Sequence, residues 1–144
     1  MALRIKIKKV SEIKMPFYAH KGDSGVDLYA AEGCMLHPME RKLIGTGIKV
    51  EIPYGYEAQV RPKSGLALEH GISHANCVGT IDSSYRGEIR IPVINFGDKP
   101  YKIDKGKKIG QMVFMKVEEA DFVEVDELGE TSRNEQGFGS TGLD

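Results

Sequence analysis

Tryptophan is absent from the 144 residues, and cysteine occurs only twice. No apolar run approaches the roughly 20 residues that a membrane-spanning helix needs. The start, Met-Ala-Leu-Arg-Ile-Lys-Ile-Lys-Lys, interleaves basic and apolar side chains where a signal peptide needs an unbroken apolar stretch. A cytoplasmic location with no membrane partner is the expectation. Positive charge is not in excess either: 20 Lys and Arg against 21 Asp and Glu give a net charge of −1. That balance excludes binding to nucleic acid through bulk electrostatics. Cys34 and Cys77 are too few and too far apart for a disulfide framework or a zinc site, and are expected to be small buried apolar side chains. The histidines, His20, His37, His70 and His74, lack metal-ligating spacing on one element. His70 and His74 are four apart, but Gly71 interrupts any helix between them. Any metal this protein uses is expected to arrive with its substrate.

Glycine and proline, 17 and 6 in number, are what the chain has in quantity. They cut it at short intervals, and between the cuts the apolar residues recur with period two. Arg4–Lys8, Ile48–Ile52, Tyr56–Val60, Glu88–Ile91, Lys108–Val117 and Phe122–Val125 read as strands. Turns are expected at Pro53-Tyr54-Gly55, Gly97-Asp98-Lys99-Pro100 and Asp104-Lys105-Gly106. The length suits one domain, and this spacing predicts an all-β sandwich or barrel. One segment differs. Ser64-Gly65-Leu66-Ala67-Leu68-Glu69-His70-Gly71 has an N-cap candidate in Ser64, good helix formers, and a terminating glycine. A short helix whose N-terminus follows Arg61 and Lys63 is a natural place for a phosphate.

After Val125 the composition changes. Asp126–Asp144 has only Leu128, Phe138 and Leu143 as large apolar residues, so burial alone cannot fix it to the body. The chain therefore divides into a β-domain, 1–125, and a flexible C-terminal arm, 126–144. The arm carries Arg133-Asn134-Glu135-Gln136-Gly137-Phe138-Gly139-Ser140-Thr141-Gly142. Its glycine-rich backbone and the Ser140 and Thr141 hydroxyls can bind phosphate oxygens, Arg133 can neutralise charge, and Phe138 offers a flat face to a base. No Gly-Lys-Ser/Thr follows, so this is not a Walker loop.

Four more segments complete a pattern: Ser24-Gly25-Val26-Asp27-Leu28, Arg61-Pro62-Lys63-Ser64-Gly65-Leu66-Ala67, Gly79-Thr80-Ile81-Asp82-Ser83-Ser84-Tyr85-Arg86-Gly87, and Gly106-Lys107-Lys108-Ile109-Gly110-Gln111. In this order, with the arm as the fifth, they resemble the five motifs of the trimeric dUTP diphosphatases (dUTPases). The resemblance spans nearly the whole chain. It implies a distorted jelly-roll-like β-barrel with one short helix, a homotrimer with three interfacial sites, and an arm that closes over a neighbour's site. The second and third motifs would then come from different chains.

The resemblance also implies roles. Hydrolysis of dUTP to dUMP and pyrophosphate needs a water that attacks the α-phosphorus, a base beside it, and cations on the phosphates. By similarity Asp82 is the base. Mg²⁺ chelated by the triphosphate neutralises charge while keeping waters of its own, and Asp27 would accept hydrogen bonds from those waters. Arg61, Lys63, Ser64, Gly65, Gln111, Arg133, Gly139, Ser140 and Thr141 would hold phosphate. Asn76, with Gly79 and Ile81 in a hairpin after it, would meet the uracil edge. Tyr85 would lie under the sugar, and Phe138 would cover the base. The family usually has arginine where this chain has Lys63, which keeps the charge but loses the planar fork. Ser84 stands where many relatives have an acidic residue. Asn134-Glu135-Gln136 replaces a glycine-richer stretch and would stiffen the lid. The alternatives are dCTP deaminase, alone or bifunctional, with Glu88 as the candidate acid/base group, and a non-catalytic nucleotide-binding regulator. Removing dUTP would keep uracil out of DNA and supply dUMP for thymidylate synthesis.

Overall fold

The computed structural model describes residues 2–138 and 140–142. Among them are eleven strands and one helix: β1 (Lys6–Lys9), β2 (Val26–Tyr29), β3 (Cys34–Leu36), β4 (Arg41–Gly45), β5 (Ile48–Glu51), β6 (Tyr56–Arg61), α1 (Ser64–His70), β7 (Ile72–His74), β8 (Gly79–Ile81), β9 (Arg90–Asn95), β10 (Tyr101–Ile103) and β11 (Lys108–Lys116). All pairings are antiparallel. The largest sheet runs β2-β11-β6-β8 and a second runs β4-β9-β7. Two further pairs, β1-β5 and β10-β3, flank them. The sheets form a jelly-roll-like arrangement without closing into one continuous barrel.

Period-two alternation explains where the core lies. On β5, Ile48 and Val50 point inward while Lys49 and Glu51 face outward; on β9, Ile91 and Val93 do the same. These side chains meet Leu28, Leu36, Ile44, Ile72, Ile89, Ile103, Ile109 and Met112 in one apolar cluster. Fully burying each large aliphatic is worth about 1.5–3 kcal/mol, so the alternation is enough to decide which face turns inward. Asn95, fully buried, ties the end of β9 to its surroundings. Its Nδ2 donates to the carbonyls of Leu36 and Lys99, and its Oδ1 accepts from Gly97 N.

Four expectations need correction. Phe122–Val125 forms no strand: its alternation has no ladder partner among the described residues, and Phe122 is 93% exposed. The cysteines are not core residues, since Cys34 is half-buried and Cys77 exposed. Ser64 does not cap α1. Lys63 occupies the cap position, without a side-chain bond, and Ser64 is the first helical residue. Finally, the hairpin expected around Gly79 and Ile81 is not a strand pair of its own: β8 pairs with β6, whereas β7 pairs with β9. Gly71 ends α1 as expected, in the left-handed region at φ 68°, with its N–H returned to the helix carbonyls.

His74 crosses the core from β7. It is 4% exposed, with Nε2 2.8 Å from the Ile109 carbonyl on β11. Burial holds its imidazole below the ordinary value, against the opposing pull of that hydrogen bond. The unfolded chain takes up a proton near pH 6.5 while the folded chain resists it until lower pH, so His74 stabilises the fold above that range and this stabilisation is lost as pH falls. Urea midpoints at pH 7.5 and 5.5 should differ more for the wild type than for His74→Gln, with a limiting slope near 1.4 kcal/mol per pH unit from this group.

Candidate active site

Three of the five motifs converge across one sheet. Gln111 on β11 stands opposite Asp27 on β2 and opposite Arg61 on β6, so the first, second and fourth motifs lie side by side. The Gln111 amide donates to the Pro62 carbonyl at 3.1 Å, which steers the turn carrying Lys63 back over β11. Asp27, Lys63 and Gln111 share a polar cleft of about 270 Å³ with Ser24 and Gly25. Asp23, whose carboxylate accepts the His20 N–H, shapes its rim, and Phe17 forms an apolar wall.

Charge organises this cleft. Asp27 Oδ1 accepts from Lys63 Nζ at 2.5 Å, and Oδ2 accepts from Lys108 Nζ at 2.7 Å. Partial burial works against ionisation of the Asp27 carboxyl, but the hydrogen bonds and charges of Lys108 and Lys63 outweigh it and hold the group below the ordinary carboxylate range. The same pairing raises the Lys108 ammonium. Lys63 therefore stands in the cleft as a point charge directed at Asp27. Arg61 points along its own strand, bonding Gln59 Oε1 through Nε and Nη2. Lys108 was not among the residues expected from sequence. It opens the strand of the fourth motif, and only the three-dimensional register reveals that it faces Asp27.

The third motif builds a separate cleft. β8 brings Ile81 opposite Ala58, and the chain then turns at Asp82, whose carbonyl accepts the Tyr85 N–H at 3.1 Å. Arg86 fastens the turn through the Ser83 and Tyr85 carbonyls. Tyr85 folds back over Gly87, its hydroxyl donating to the Glu88 carbonyl at 2.9 Å. A Cβ at Gly87 would overlap the phenol, so a larger residue there would push the Tyr85 ring aside. Asp82 is exposed and lines a cleft of about 530 Å³ with Ser83, Ser84, Tyr56, Glu57 and Glu119. Asn76 is exposed beyond β7, and Gly79 leaves its amide room to lie against β8.

Within one chain the two clefts do not merge. The cleft around Asp27 and Lys63 opens at the Arg61 end of β6 and the Asp82 cleft at its Tyr56 end. The fifth motif joins neither. Residues 115–136 are exposed, and Arg133 Nε donates to the Gln136 carbonyl inside the arm. Thr131 and Asn134 exchange reciprocal bonds, N–H to Oδ1 and N–H to Oγ1. Phe138 is fully exposed and left-handed at φ 50°. Ser140 N donates to the Gly137 carbonyl and Thr141 is exposed, while Gly139 lies outside the described residues. Ser64 and Gly65 stand at the exposed first turn of α1, next to Lys63.

Glu88, the acid/base candidate of the deaminase alternative, has another task. Its Oε1 accepts the Gly47 N–H at 2.9 Å and its Oε2 faces Arg90 at 3.2 Å, bracing the turn between β4 and β5. Among the described residues, no three His, Cys, Asp or Glu side chains cluster as a metal site. No helix among them is long and apolar enough to cross a membrane.

A family model described as dUTPase matches residues 11–142. The chain is 52% identical over 141 residues to the deoxyuridine 5'-triphosphate nucleotidohydrolase of Clostridium kluyveri, covering 97% of this chain and 99% of that one. It is 51% identical over 142 residues to the same-named protein of Finegoldia magna, with 97% and 99% covered. A variant of the Staphylococcus bacteriophage 80alpha dUTPase, solved with dUpNHpp, superposes with a TM-score of 0.90 at 27% identity, covering 97% of this chain and 99% of that one. A variant dUTPase of phage phi11 of S. aureus, described for coordination of a structural Mg(II) ion, gives 0.80 at 25% identity, covering 86% and 97%. Matched along nearly its whole length in sequence and in fold, this chain belongs to the dUTPase family.

Proposed function

We propose that this chain hydrolyses dUTP to dUMP and pyrophosphate by attack of water on the α-phosphate. The observation that carries the reading is the register across β2, β11 and β6, which sets Asp27, Gln111 and Arg61 abreast beside Lys63 in one polar cleft. Asp82 orients the attacking water and accepts its proton, a role that suits an exposed carboxylate on a braced turn. Lys63, Arg61, Ser64, Gly65 and Gln111 hold the phosphate oxygens. Arg133, Gly139, Ser140 and Thr141 are added when the arm closes. Asn76, Gly79 and Ile81 read the uracil edge, Tyr85 supports the deoxyribose, and Phe138 stacks on the base. A backbone that pairs with uracil N3–H leaves polar groups unmatched against cytosine, a large discrimination.

Mg²⁺ bound to the triphosphate supplies charge neutralisation. Both Asp27 oxygens are engaged by lysine ammoniums, so Asp27 suits contact through a metal-bound water better than direct ligation. That donor set fits a cation delivered with the substrate. The separation of the two clefts supports assembly of the site between chains of a homotrimer, one contributing Asp82 and Tyr85 and another the phosphate cleft. A neighbour's arm would complete the site. We place the enzyme in the cytoplasm, where it would limit uracil in DNA and supply dUMP for thymidylate synthesis.

Pyrophosphate release with Mg²⁺ should be measured on dUTP, dCTP, dTTP and UTP, with products identified. Turnover of dUTP alone is expected. Release of dUMP from dCTP would establish the bifunctional deaminase, which Glu88's engagement with Gly47 and Arg90 argues against. No turnover of any of the four by the folded protein would overturn the enzymatic reading.

A further inference from the structure

Lys108 and Gln111 are three residues apart on β11, an odd spacing that places side chains on opposite faces of a regular strand. Yet Lys108 bonds to Asp27, and Gln111 lines the cleft that Asp27 lines. The difference is made at Ile109. Lys108 stands opposite Tyr29 and Gly110 opposite Leu28, so the register shifts and Ile109 is an extra residue without a partner on β2. Pairing with β6 begins only at Gln111. A bulge of this kind takes the extra residue's backbone out of the ladder and re-aims the side chains around it.

Ile109 is 1% exposed, so its freed carbonyl needs a buried donor. That donor is His74 Nε2, reaching 2.8 Å from β7 in the other sheet. Gly110 makes room for the ring, because a Cβ there would come within 2.9 Å of His74 Cε1. Alternation on β7 asks only for an inward-facing side chain at this position, as Ile72 supplies two residues earlier. An apolar residue would fill the volume equally well, but it could not donate.

We propose that His74 is a positioning residue for the triphosphate: by holding the bulged carbonyl of Ile109, it turns both Lys108 and Gln111 toward the cleft around Asp27. This rests on the reading of the chain as a dUTPase. His74 touches no substrate and acts through the backbone of β11.

The test compares His74→Leu, which fills the space without a donor, with His74→Gln, which keeps one. Calorimetric affinities for dUpNHpp with Mg²⁺ and for dUMP are measured beside thermal melts. His74→Leu should weaken dUpNHpp about tenfold or more, the scale of one lost polar contact, while leaving dUMP within about twofold. His74→Gln should recover most of the loss. Gly110→Ala, which crowds the ring off the carbonyl, should shift the two affinities as His74→Leu does, and it takes that variant's place if His74→Leu does not fold. Equal weakening of both nucleotides, no weakening of either, or a glutamine variant no better than leucine would overturn the proposal. A wild type that binds dUpNHpp no better than dUMP would instead overturn the dUTPase reading, and this inference with it.

Discussion

Asp82→Asn should lower kcat on dUTP by about 10²–10⁴-fold, the range that a positioned general base supplies. Asparagine keeps the size and one carbonyl oxygen but cannot take the proton from the attacking water. The fold should be unaffected, because the side chain is exposed and the turn is held by the Tyr85 N–H and the Arg86 guanidinium, which donate to backbone carbonyls. Single-turnover hydrolysis, affinity for dUpNHpp and a thermal melt together check the assignment. A slow variant that binds the analogue and melts with the wild type places Asp82 in the chemical step. Undiminished turnover would move the base elsewhere.

A chain ending at Ser132 should melt like the full chain and yet lose most of its activity. Among the described residues, those removed contribute nothing to the core, since Arg133 and Phe138 are exposed. What goes is the base-stacking face of Phe138, worth about 1–3 kcal/mol, and the charge-assisted hydrogen bonds of Arg133, worth about 1.5–3 kcal/mol. Taken together, and discounted for ordering the arm, a fall of roughly 10²–10⁴-fold in kcat/KM is expected. Steady-state kinetics with a melt alongside decide it. A truncated chain retaining more than about a tenth of the activity, a loss of less than 1.4 kcal/mol, would remove the arm from the reaction.

Much of this was legible in the residues, and the exceptions have physical causes. β5, β6 and the start of β9 could be placed from alternation because one face is buried and the other wetter, the condition under which period two is written into a strand, whereas β11 was readable as a longer apolar run. Strands of three residues, such as β3, β7, β8 and β10, are too short to carry a period. Phe122–Val125 shows the reverse: a strand-like pattern is a demand for a partner, and the described residues of the single chain offer none. Ser64 missed the cap by one position because Lys63 took the extended conformation that a cap needs. At the site, the motif residues were readable by type and order. The pairing of Lys108 with Asp27 was not, because a bulge cancels the parity on which face assignments depend.

The separation of the two clefts along β6 has a consequence for inheritance of defects. If sites form between chains as proposed, each polypeptide carries two half-sites that serve different catalytic centres. A chain lacking the Asp82 carboxylate still lends a sound phosphate cleft to its neighbour, and a chain damaged at Gln111 still lends its carboxylate. Two lesions, one in each cleft, would then complement one another in a mixed assembly, although each alone is inactive. Two lesions in the same cleft would not. The geometry of a single β-strand thus sorts mutations into two complementation groups within one gene.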